Sequence, residues 1–361
     1  MSNIKMIGVH KRYGNTVASN IEYLEVKEGE ILSFLGPSGC GKTTTLRIVA
    51  GLERQDDGDV YIGDRLVNDV PPEQRKAAMV FQRYALFPHM TVFENIAFGL
   101  RIRKFSKREI ERKVDSVLEL VKLPGMEKRY PGQLSGGQQQ RIALARAVVI
   151  DPEVLLFDEP LSNLDAKLRE YMRLELRNFL KDLKTTSIYV THDQTEALAL
   201  SDRVAVMDRG SVQQIDVPNN IYRSPKNKFV ADFMANTSFI EVVVEKKDES
   251  RSLVAVYTND GLTFWGRGGE GMDPGSHVLF CVRPENVKIF KLGEKTEDNV
   301  VTGIVVHASD LGEYLEYQVK IGQNIIRSKT MSRTNIFRKD DKIGVWLDPN
   351  GCFIINSRSQ N

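Results

Sequence analysis

The sequence predicts a chain of two parts, an α/β part built on a parallel sheet followed by an all-β part. Up to about residue 235, short apolar runs alternate with helical segments, and several of these runs end in polar or acidic residues. From Phe239 onward, short β-rich runs follow one another without helical segments. A length of 361 residues is also long for a single core. We therefore place the α/β domain at 1–235 and the all-β domain at 236–361.

The composition excludes several classes of protein. A hydrophobic content of 41% and a charged content of 27% are typical of a soluble globular chain, and a net charge of +2 argues against a dedicated nucleic-acid binder. No run approaches the ~18 apolar residues of a membrane helix, and the N-terminus lacks the apolar core of a signal peptide. Three scattered cysteines, Cys40, Cys281 and Cys352, are too few for a disulfide framework or a zinc site. We expect a cytosolic chain.

The strongest motif matches G-x-x-x-x-G-K-[ST], the phosphate loop of nucleotide-binding proteins. Its eight residues are Gly36, Pro37, Ser38, Gly39, Cys40, Gly41, Lys42 and Thr43. A short apolar strand precedes the motif, and a helix from Thr44 to Ala50 is predicted to follow it. Strand, glycine loop and helix N-terminus together favour a polyanion, with Lys42 reaching the β/γ-phosphates and Thr43 offering its hydroxyl to Mg²⁺. A chance glycine-rich turn is improbable between these two elements.

The N-terminal segment from Ile4 to Val26 alternates apolar and polar residues around a turn near residues 12–15, which predicts a hairpin. Tyr13 in that turn could stack on a base or be a half-buried strand residue. A later buried strand, residues 78–81, ends at Gln82, where parallel sheets place ligand contacts. The apolar stretch from Tyr84 to Met90 either packs inside or forms a partner surface.

A second anion site is predicted in the middle of the α/β part. A helix from Ser106 to Val121 precedes the segment Leu134-Ser135-Gly136-Gly137-Gln138, and another helix is predicted from Gln139 to Val149. Ser135 can cap that helix and leave the amides of Gly136 and Gly137 free. Because one ATP has no need of two such sites in one chain, we expect this segment to serve a neighbouring copy.

Two further strands end in residues suited to hydrolysis. The run Val154 to Phe157 leads directly into Asp158 and Glu159, of which the first can hold Mg²⁺ and the second can orient and polarise the attacking water. A strand that follows the helix at 166–183 ends in His192, which we interpret as a contact to the γ-phosphate. A hairpin at 204–215 is expected to close the sheet.

The all-β part contains short strands separated by Gly, Asp, Asn and Pro, which indicates small barrels of the oligonucleotide/oligosaccharide-binding (OB) type. The predicted strands are residues 240–244, 253–257, 278–282, 287–290, 303–307, 315–319 and 342–347. Barrels of this type bind many things, so the architecture alone does not identify a ligand.

The assembled motifs resemble the ATPase subunits of ATP-binding cassette (ABC) transporters over essentially the whole chain. Five motifs occur in the same order as in that family: the phosphate loop, Gln82 of the Q-loop, the signature at 134–138, the carboxylates Asp158 and Glu159, and His192 of the switch. The resemblance implies an α/β P-loop NTPase domain with a helical subdomain at about 84–150, followed by the OB-type barrels. It also implies that Tyr13 stacks on adenine and that residues 162–165 face the opposite subunit.

Two positions depart from the pattern of the family. Asn163 stands where Ala is usual in the 162–165 loop, and Arg83 stands where many relatives carry Ser. Neither change removes a catalytic group, although Arg83 could alter docking to a membrane subunit.

The carboxy-terminal residues Val282-Arg283-Pro284-Glu285 resemble a motif of importer ATPases with a doubled barrel (TOBE) domain, as in the maltose and spermidine/putrescine systems. Residues 82–100 are similar to the polyamine and ferric-iron branches. The resemblance implies ATP and Mg²⁺ as cofactors and a peripheral location on the cytoplasmic face of the cell membrane. It implies a homodimer, transmembrane permease subunits and, indirectly, an extracytoplasmic solute-binding protein, and no nucleic acid.

The implied roles divide into catalysis, nucleotide binding and metal binding. The resemblance assigns catalysis to Glu159, His192, Lys42 and Gln82, and metal binding to Thr43, Gln82 and Asp158. The nucleotide would contact Tyr13, the phosphate loop with Thr44, and Ser135 to Gln138 of a second copy.

One alternative is a soluble ABC ATPase acting in translation or DNA repair. It is disfavoured because the chain has one cassette, and because the segment between Thr43 and Ser135 is too short for a long coiled coil. A barrel module that uses nucleotide only as a structural ligand is disfavoured by the intact Glu159 and His192.

Overall fold

The computed structural model describes residues 2–269, 271–294 and 298–357. The chain divides into two compact units, Met1–Ile221 and Tyr222–Asn361. The domain boundary that the sequence suggests after residue 235 stays a prediction. Within the predicted all-β domain, residues 270, 295–297 and 358–361 lie outside the described residues.

The first unit combines a sheet of ten strands with the helices that cover it. The strands are β1 (Ile4–Tyr13), β2 (Thr16–Val26), β3 (Ile31–Leu35), β4 (Asp57–Ile62), β5 (Arg65–Leu66), β6 (Ala77–Val80), β7 (Val154–Asp158), β8 (Thr186–Thr191), β9 (Arg203–Asp208) and β10 (Ser211–Asp216). The helices are α1 (Lys42–Ala50), α2 (Val92–Ile102), α3 (Lys107–Leu120), α4 (Gly136–Val148), α5 (Ala166–Leu183) and α6 (Gln194–Leu200). A further helix, α7 (Pro218–Arg223), spans the boundary between the units.

The strand order is β5-β4-β1-β2-β10-β9-β3-β8-β7-β6, with β9, β3, β8, β7 and β6 parallel. Every residue of β3, β7 and β8 is buried, which explains why Asp158 at the end of β7 is the one charged residue in these three strands. The predicted hairpin forms β9 and β10 but lies in the middle of the sheet rather than closing it. In that position it joins the parallel strands to the antiparallel strands, because β10 pairs with β2 at Ser211 and Asn20.

Helices α2, α3 and α4 share an apolar cluster with members from Val92 to Val149, inside the range predicted for the helical subdomain. Helix α2 was not among the sequence predictions, although Thr91 and Glu94 form a capping box at its start. Helix α4 begins at Gly136, three residues earlier than predicted, because Ser135 caps a first turn that includes both glycines.

The second unit starts within α7 and contains α8 (Lys228–Met234) and two antiparallel five-stranded sheets. The first, in the order β13-β12-β11-β14-β20, contains β11 (Ser238–Asp248), β12 (Leu253–Tyr257), β13 (Thr263–Gly266), β14 (His277–Val282) and β20 (Phe353–Asn356). The second, in the order β15-β19-β16-β17-β18, contains β15 (Val287–Lys291), β16 (Val300–Asp310), β17 (Leu315–Ile321), β18 (Asn324–Thr330) and β19 (Lys342–Leu347).

One apolar core is shared by both sheets of this unit, with Phe280 on β14 and Tyr317 on β17 among its largest side chains. This arrangement confirms the predicted all-β fold. Strands β13, β18 and β20 were not predicted. Across the described residues, no helix is both long enough and apolar enough to cross a membrane.

Candidate functional site

The phosphate loop, residues 36–43, connects the buried strand β3 to α1, as predicted. Nζ of Lys42 donates to the backbone carbonyls of Gly36 at 2.7 Å and Pro37 at 2.8 Å. The Lys42 residue is only 4% exposed, so its ammonium lies within the loop. The loop therefore encloses a positive charge next to the N-terminus of α1, where anions are favoured.

Two glycines of the loop are required by close backbone contacts. A Cβ atom at Gly36 would lie 2.3 Å from the carbonyl oxygen of Met207, and one at Gly41 would lie 2.0 Å from that of Ala18. Gly41 also has φ +102°, a backbone conformation that residues other than glycine rarely adopt. Strands β2 and β9 thus hold the loop tightly from outside.

Cys40 is buried in the same loop, with Sγ 3.7 Å from Nζ of Lys42. Burial raises the pKa of the Cys40 thiol, although the Lys42 ammonium acts in the opposite direction. The thiol is therefore held in its neutral form more strongly than an exposed one.

A cavity of about 330 Å³ lies over the phosphate loop. It is lined by Tyr13, Thr16, Val17, Ala18, Ser38, Gly39, Gly41, Lys42, Thr43, Thr44 and Glu159. The Tyr13 ring is half exposed, and Nζ of Lys11 lies 5.3 Å from its centroid. A cavity that is lined by polar backbone, a lysine and an aromatic ring suits a ligand that carries both phosphates and a planar base.

Thr43 and Asp158 bring two oxygen ligands together beside this cavity. Oγ1 of Thr43 donates to Oδ1 of Asp158 at 2.9 Å. Burial raises the pKa of Asp158, and the hydrogen bond from Thr43 partly opposes that shift. A hydroxyl and a carboxylate are oxygen ligands of the kind that Mg²⁺ accepts, and Mg²⁺ usually takes its remaining ligands from water and phosphate. The residues fit a magnesium ion.

Glu159, His192 and Gln82 meet at the end of the parallel strands. Oε2 of Glu159 lies 3.0 Å from Nδ1 of His192 and 3.5 Å from Nε2 of Gln82, the second at the far limit of a hydrogen bond. An ionised carboxylate only accepts hydrogen bonds, so the shorter contact places a proton on Nδ1.

The backbone of Glu159 is strained, with φ +46°. Its amide donates to the carbonyl of Val190 on β8 at 3.0 Å, which fixes this conformation. Such left-handed backbone at a non-glycine residue is concentrated at functional sites. Other non-glycine residues, including Lys104 and Lys184, share this conformation, so the strain accompanies the site without identifying it.

The signature residues Ser135, Gly136, Gly137 and Gln138 do not line this cavity in the described part of the chain. Ser135 and Gln138 instead form a capping box, with Oε1 of Gln138 accepting from the Ser135 amide at 2.9 Å. The structure therefore brings the phosphate loop, Thr43–Asp158 and Glu159–His192–Gln82 together, and leaves the signature at the separate N-terminus of α4.

The sequence did not indicate how three side chains hold the site loops, although Asn163 stood out as a departure from the family pattern. Arg146 on α4 donates to the carbonyls of Tyr84 at 2.8 Å and Ala85 at 2.6 Å, both of which have positive φ. Asn163 donates to the carbonyl of Gln82 at 2.6 Å. The third, Arg169 on α5, is described below. Each binds a backbone carbonyl, a partner that no sequence pattern indicates.

Two family models match the chain. The model described as ABC transporter matches residues 20–162, which contain the phosphate loop, Gln82, the signature and both carboxylates. The model described as TOBE domain matches residues 280–355 in the all-β unit.

Two relatives are similar over most of their length. The spermidine/putrescine import ATP-binding protein PotA of Rubrobacter xylanophilus is 44% identical over 360 residues, covering 98% of this chain and 94% of that protein. The trehalose/maltose import ATP-binding protein MalK of Thermococcus litoralis is 44% identical over 342 residues, covering 89% of each.

A solved structure of an ATP-binding cassette, dimeric and in a post-hydrolysis state bound to ADP and Pi, matches with a TM-score of 0.52 and 32% identity. It covers 60% of this chain and 98% of the matched chain, so the likeness concerns the cassette alone. With the family models and the full-length relatives, it shows that the chain belongs to the ABC transporter family and is an ATPase of that family that carries a carboxy-terminal TOBE domain.

Proposed function

We propose that this chain is the ATP-hydrolysing subunit of an ABC importer, which powers the uptake of a small solute across the cell membrane. The observation that carries the proposal is the contact of Glu159 with His192 next to the phosphate-loop cavity. This arrangement offers a general base and an orienting partner where the γ-phosphate of a bound ATP would end. The full-length relatives, both of which are named as import proteins, favour this reading over a soluble role in translation or repair.

The residues act by position and charge. The amides of residues 36–43 and the Lys42 ammonium hold the β- and γ-phosphates, while the Tyr13 ring stacks on adenine. Glu159 takes the proton of the attacking water and orients it in line with the γ-phosphate. His192 donates from Nδ1 to Glu159 and so orients that carboxylate, and a contact from Nε2 to the γ-phosphate would require a hydrogen on Nε2 as well. Gln82 lies beside the same carboxylate.

Thr43, Asp158 and Gln82 would hold Mg²⁺ together with phosphate oxygens. The ion would neutralise charge that develops on the phosphates during transfer. For the protein, the consequence is that Asp158 must be ionised, although burial raises its pKa.

Two copies would close head to tail around ATP, each supplying Ser135 to Gln138 to the nucleotide held by the other. The position of these residues outside the cavity of their own chain supports this arrangement, because the amides of Gly136 and Gly137 in the first turn of α4 could then serve a partner. The matched cassette structure is also a dimer.

The remaining partners follow from the import function. The ATPase pair would sit at the cytoplasmic face against transmembrane permease subunits, with an extracytoplasmic solute-binding protein on the other side. The proposed solute is a polyamine or ferric iron, alternatively a sugar or another small solute. Relatives of equal identity are named for spermidine/putrescine and for trehalose/maltose, which supports the polyamine and the sugar. Nothing in the ATPase need touch the solute.

The test is purification of the tagged full-length chain from detergent-solubilised membranes of its host, followed by mass spectrometry and an ATPase assay. We expect a multi-spanning permease to accompany the chain, and we expect the solute-binding protein, loaded with one of the candidate solutes, to stimulate hydrolysis. Recovery of ribosomal or DNA-repair proteins instead would contradict the proposal.

A further inference from the structure

The loop of residues 162–165 is tied directly to two of the site groups. Oγ of Ser162 donates to the backbone carbonyl of Glu159 at 2.9 Å. Nδ2 of Asn163 donates to the carbonyl of Gln82 at 2.6 Å. The loop therefore cannot move without disturbing the backbone of the general base or of Gln82.

A single side chain, Arg169 in the first turn of α5, connects this loop to the His192 segment. Nη2 of Arg169 donates to the carbonyls of Leu164 at 2.9 Å and Ser162 at 3.3 Å. Nη1 of the same guanidinium lies 3.9 Å from Oδ2 of Asp193, the residue after His192. A planar fork with several donors can serve two such partners at once, which a lysine ammonium cannot do with the same geometry.

Asp193 divides its two oxygens between two tasks. Oδ1 accepts from the amides of Thr195 at 2.7 Å and Glu196 at 3.1 Å and so caps α6. Oδ2 is the oxygen that faces Arg169. At 3.9 Å this contact is an ionic attraction and not a hydrogen bond, so Arg169 favours by its charge one orientation of the carboxylate that begins α6, immediately after the histidine that contacts Glu159.

The expected effects of losing Arg169 on stability and on the rate of hydrolysis distinguish a positioning role from a structural one. The side chains of Arg169 and Asp193 are 29% and 25% exposed, so their ion pair is expected to add little to stability. Catalysis is more sensitive, because a displacement of about 1 Å can reduce a rate roughly a hundredfold. Loss of Arg169 should therefore change the rate far more than the melting temperature.

We propose that Arg169 is a positioning residue for ATP hydrolysis: its hydrogen bonds hold the 162–165 loop and its charge attracts Asp193, so that His192 stays aligned with Glu159. The inference rests on the proposed roles of Glu159 and His192. Since the 162–165 loop is the one expected to face the second copy, Arg169 also couples the state of that interface to the histidine of its own chain.

The experiment is a double-mutant cycle in the full-length chain, with Arg169→Gln and His192→Ala made singly and together. We expect Arg169→Gln to lower kcat by about tenfold or more, with KM for ATP within about twofold and Tm within about 4 °C of wild type. In the His192→Ala background the same change should have almost no further effect, because the group it positions is gone. Arg169→Lys should recover part of the rate.

The matched control is Lys167→Gln, which removes an exposed positive charge from the same turn of α5 and should leave kcat unchanged. The inference is overturned if Arg169→Gln keeps the wild-type kcat, or if it lowers kcat by the same factor with and without His192. If Arg169→Gln fails to fold, Arg169→Lys provides the same cycle. A wild-type rate in His192→Ala alone would overturn the proposed role of His192 as well, which separates the two failures.

Discussion

Replacement of Glu159 by Gln tests the proposed chemistry most directly. The change keeps the shape of the side chain and leaves an oxygen that can accept from Nδ1 of His192, now 3.0 Å from Oε2 of Glu159. It removes the charge and the capacity to take a proton from water. The phosphate loop, Lys42 and the Thr43–Asp158 pair are untouched, so nucleotide binding should persist.

The expected loss follows from what a positioned general base contributes. Such a base accounts for about 10²–10⁴ in rate, equivalent to roughly 3–5 kcal/mol in the activation free energy. We therefore expect Glu159→Gln to bind Mg-ATP with near wild-type affinity, to hydrolyse it at least about a hundredfold more slowly, and to accumulate as a closed dimer. The stability of the fold should change little, since Gln matches the shape of Glu159 and keeps an oxygen that can accept from His192.

Phosphate release would be measured with saturating Mg-ATP, nucleotide binding with a fluorescent analogue, and the dimer by size exclusion with light scattering. Glu159→Asp serves as a comparison: it keeps the negative charge, but its shorter side chain places the carboxylate farther from His192. A wild-type rate in Glu159→Gln would refute the assignment of the base. A slow enzyme that remains monomeric with saturating Mg-ATP would refute the closed dimer while leaving the base in place.

Three further predictions concern the loop, a buried acid and the thiols. Gly36→Ala should lower the free energy of unfolding by about 1–3 kcal/mol and weaken nucleotide binding, measured by urea denaturation and titration, because its Cβ would lie 2.3 Å from the Met207 carbonyl. Burial raises the pKa of Glu196, so in acid this side chain is neutral in the wild type, as it always is in Glu196→Gln. As the pH rises above about 4.3, the ordinary pKa of a glutamate, ionisation of the buried carboxyl costs the wild type stability. The stability of Glu196→Gln relative to wild type should therefore increase with pH, measured by urea denaturation. Cys281 and Cys352 should remain free and react with thiol reagents only after unfolding, because both are buried and burial raises the pKa of each thiol.

Each of these predictions has its own control. Gly132→Ala introduces a methyl group with no atom within 4 Å and should leave stability and binding unchanged. A pH-independent difference between Glu196→Gln and wild type would contradict the buried-charge argument. Cys281 pairs with Phe353, and Cys352 is the residue before Phe353, so the two cysteine side chains point to opposite faces of the sheet. A disulfide between Cys281 and Cys352 would therefore contradict the strand register.

The elements around the site could be predicted well from the sequence, because their signals are local. Strand β3, the glycine loop and α1 each have a distinct pattern, and Asp158 and Glu159 follow a run that only a buried strand explains. Helix α5 was predicted at its observed bounds, where Asp165 provides a cap. The predicted roles of the site residues remain predictions that the mutations above address.

What the sequence could not show depends on distant parts of the chain. The placement of the β9–β10 hairpin inside the sheet follows from its pairing with β3 and β2, which no local pattern specifies. Arg169 and Arg146 read as ordinary charged residues on helices. Their importance appears only when their guanidinium groups are found to hold backbone carbonyls of separate loops.

The junction between β10 and β2 divides the ten-stranded sheet into two halves that are connected by very little strand pairing. Among the described strands a single residue pair, Ser211 and Asn20, joins them, supported by a hydrogen bond of 2.7 Å from the Asn20 amide to the Gly210 carbonyl. Of the residues that line the cavity, Tyr13 belongs to one half and the phosphate loop to the other. A nucleotide that contacts both halves would stabilise the junction against local opening. The amide of Asn20 should therefore exchange its hydrogen more slowly when ATP is bound.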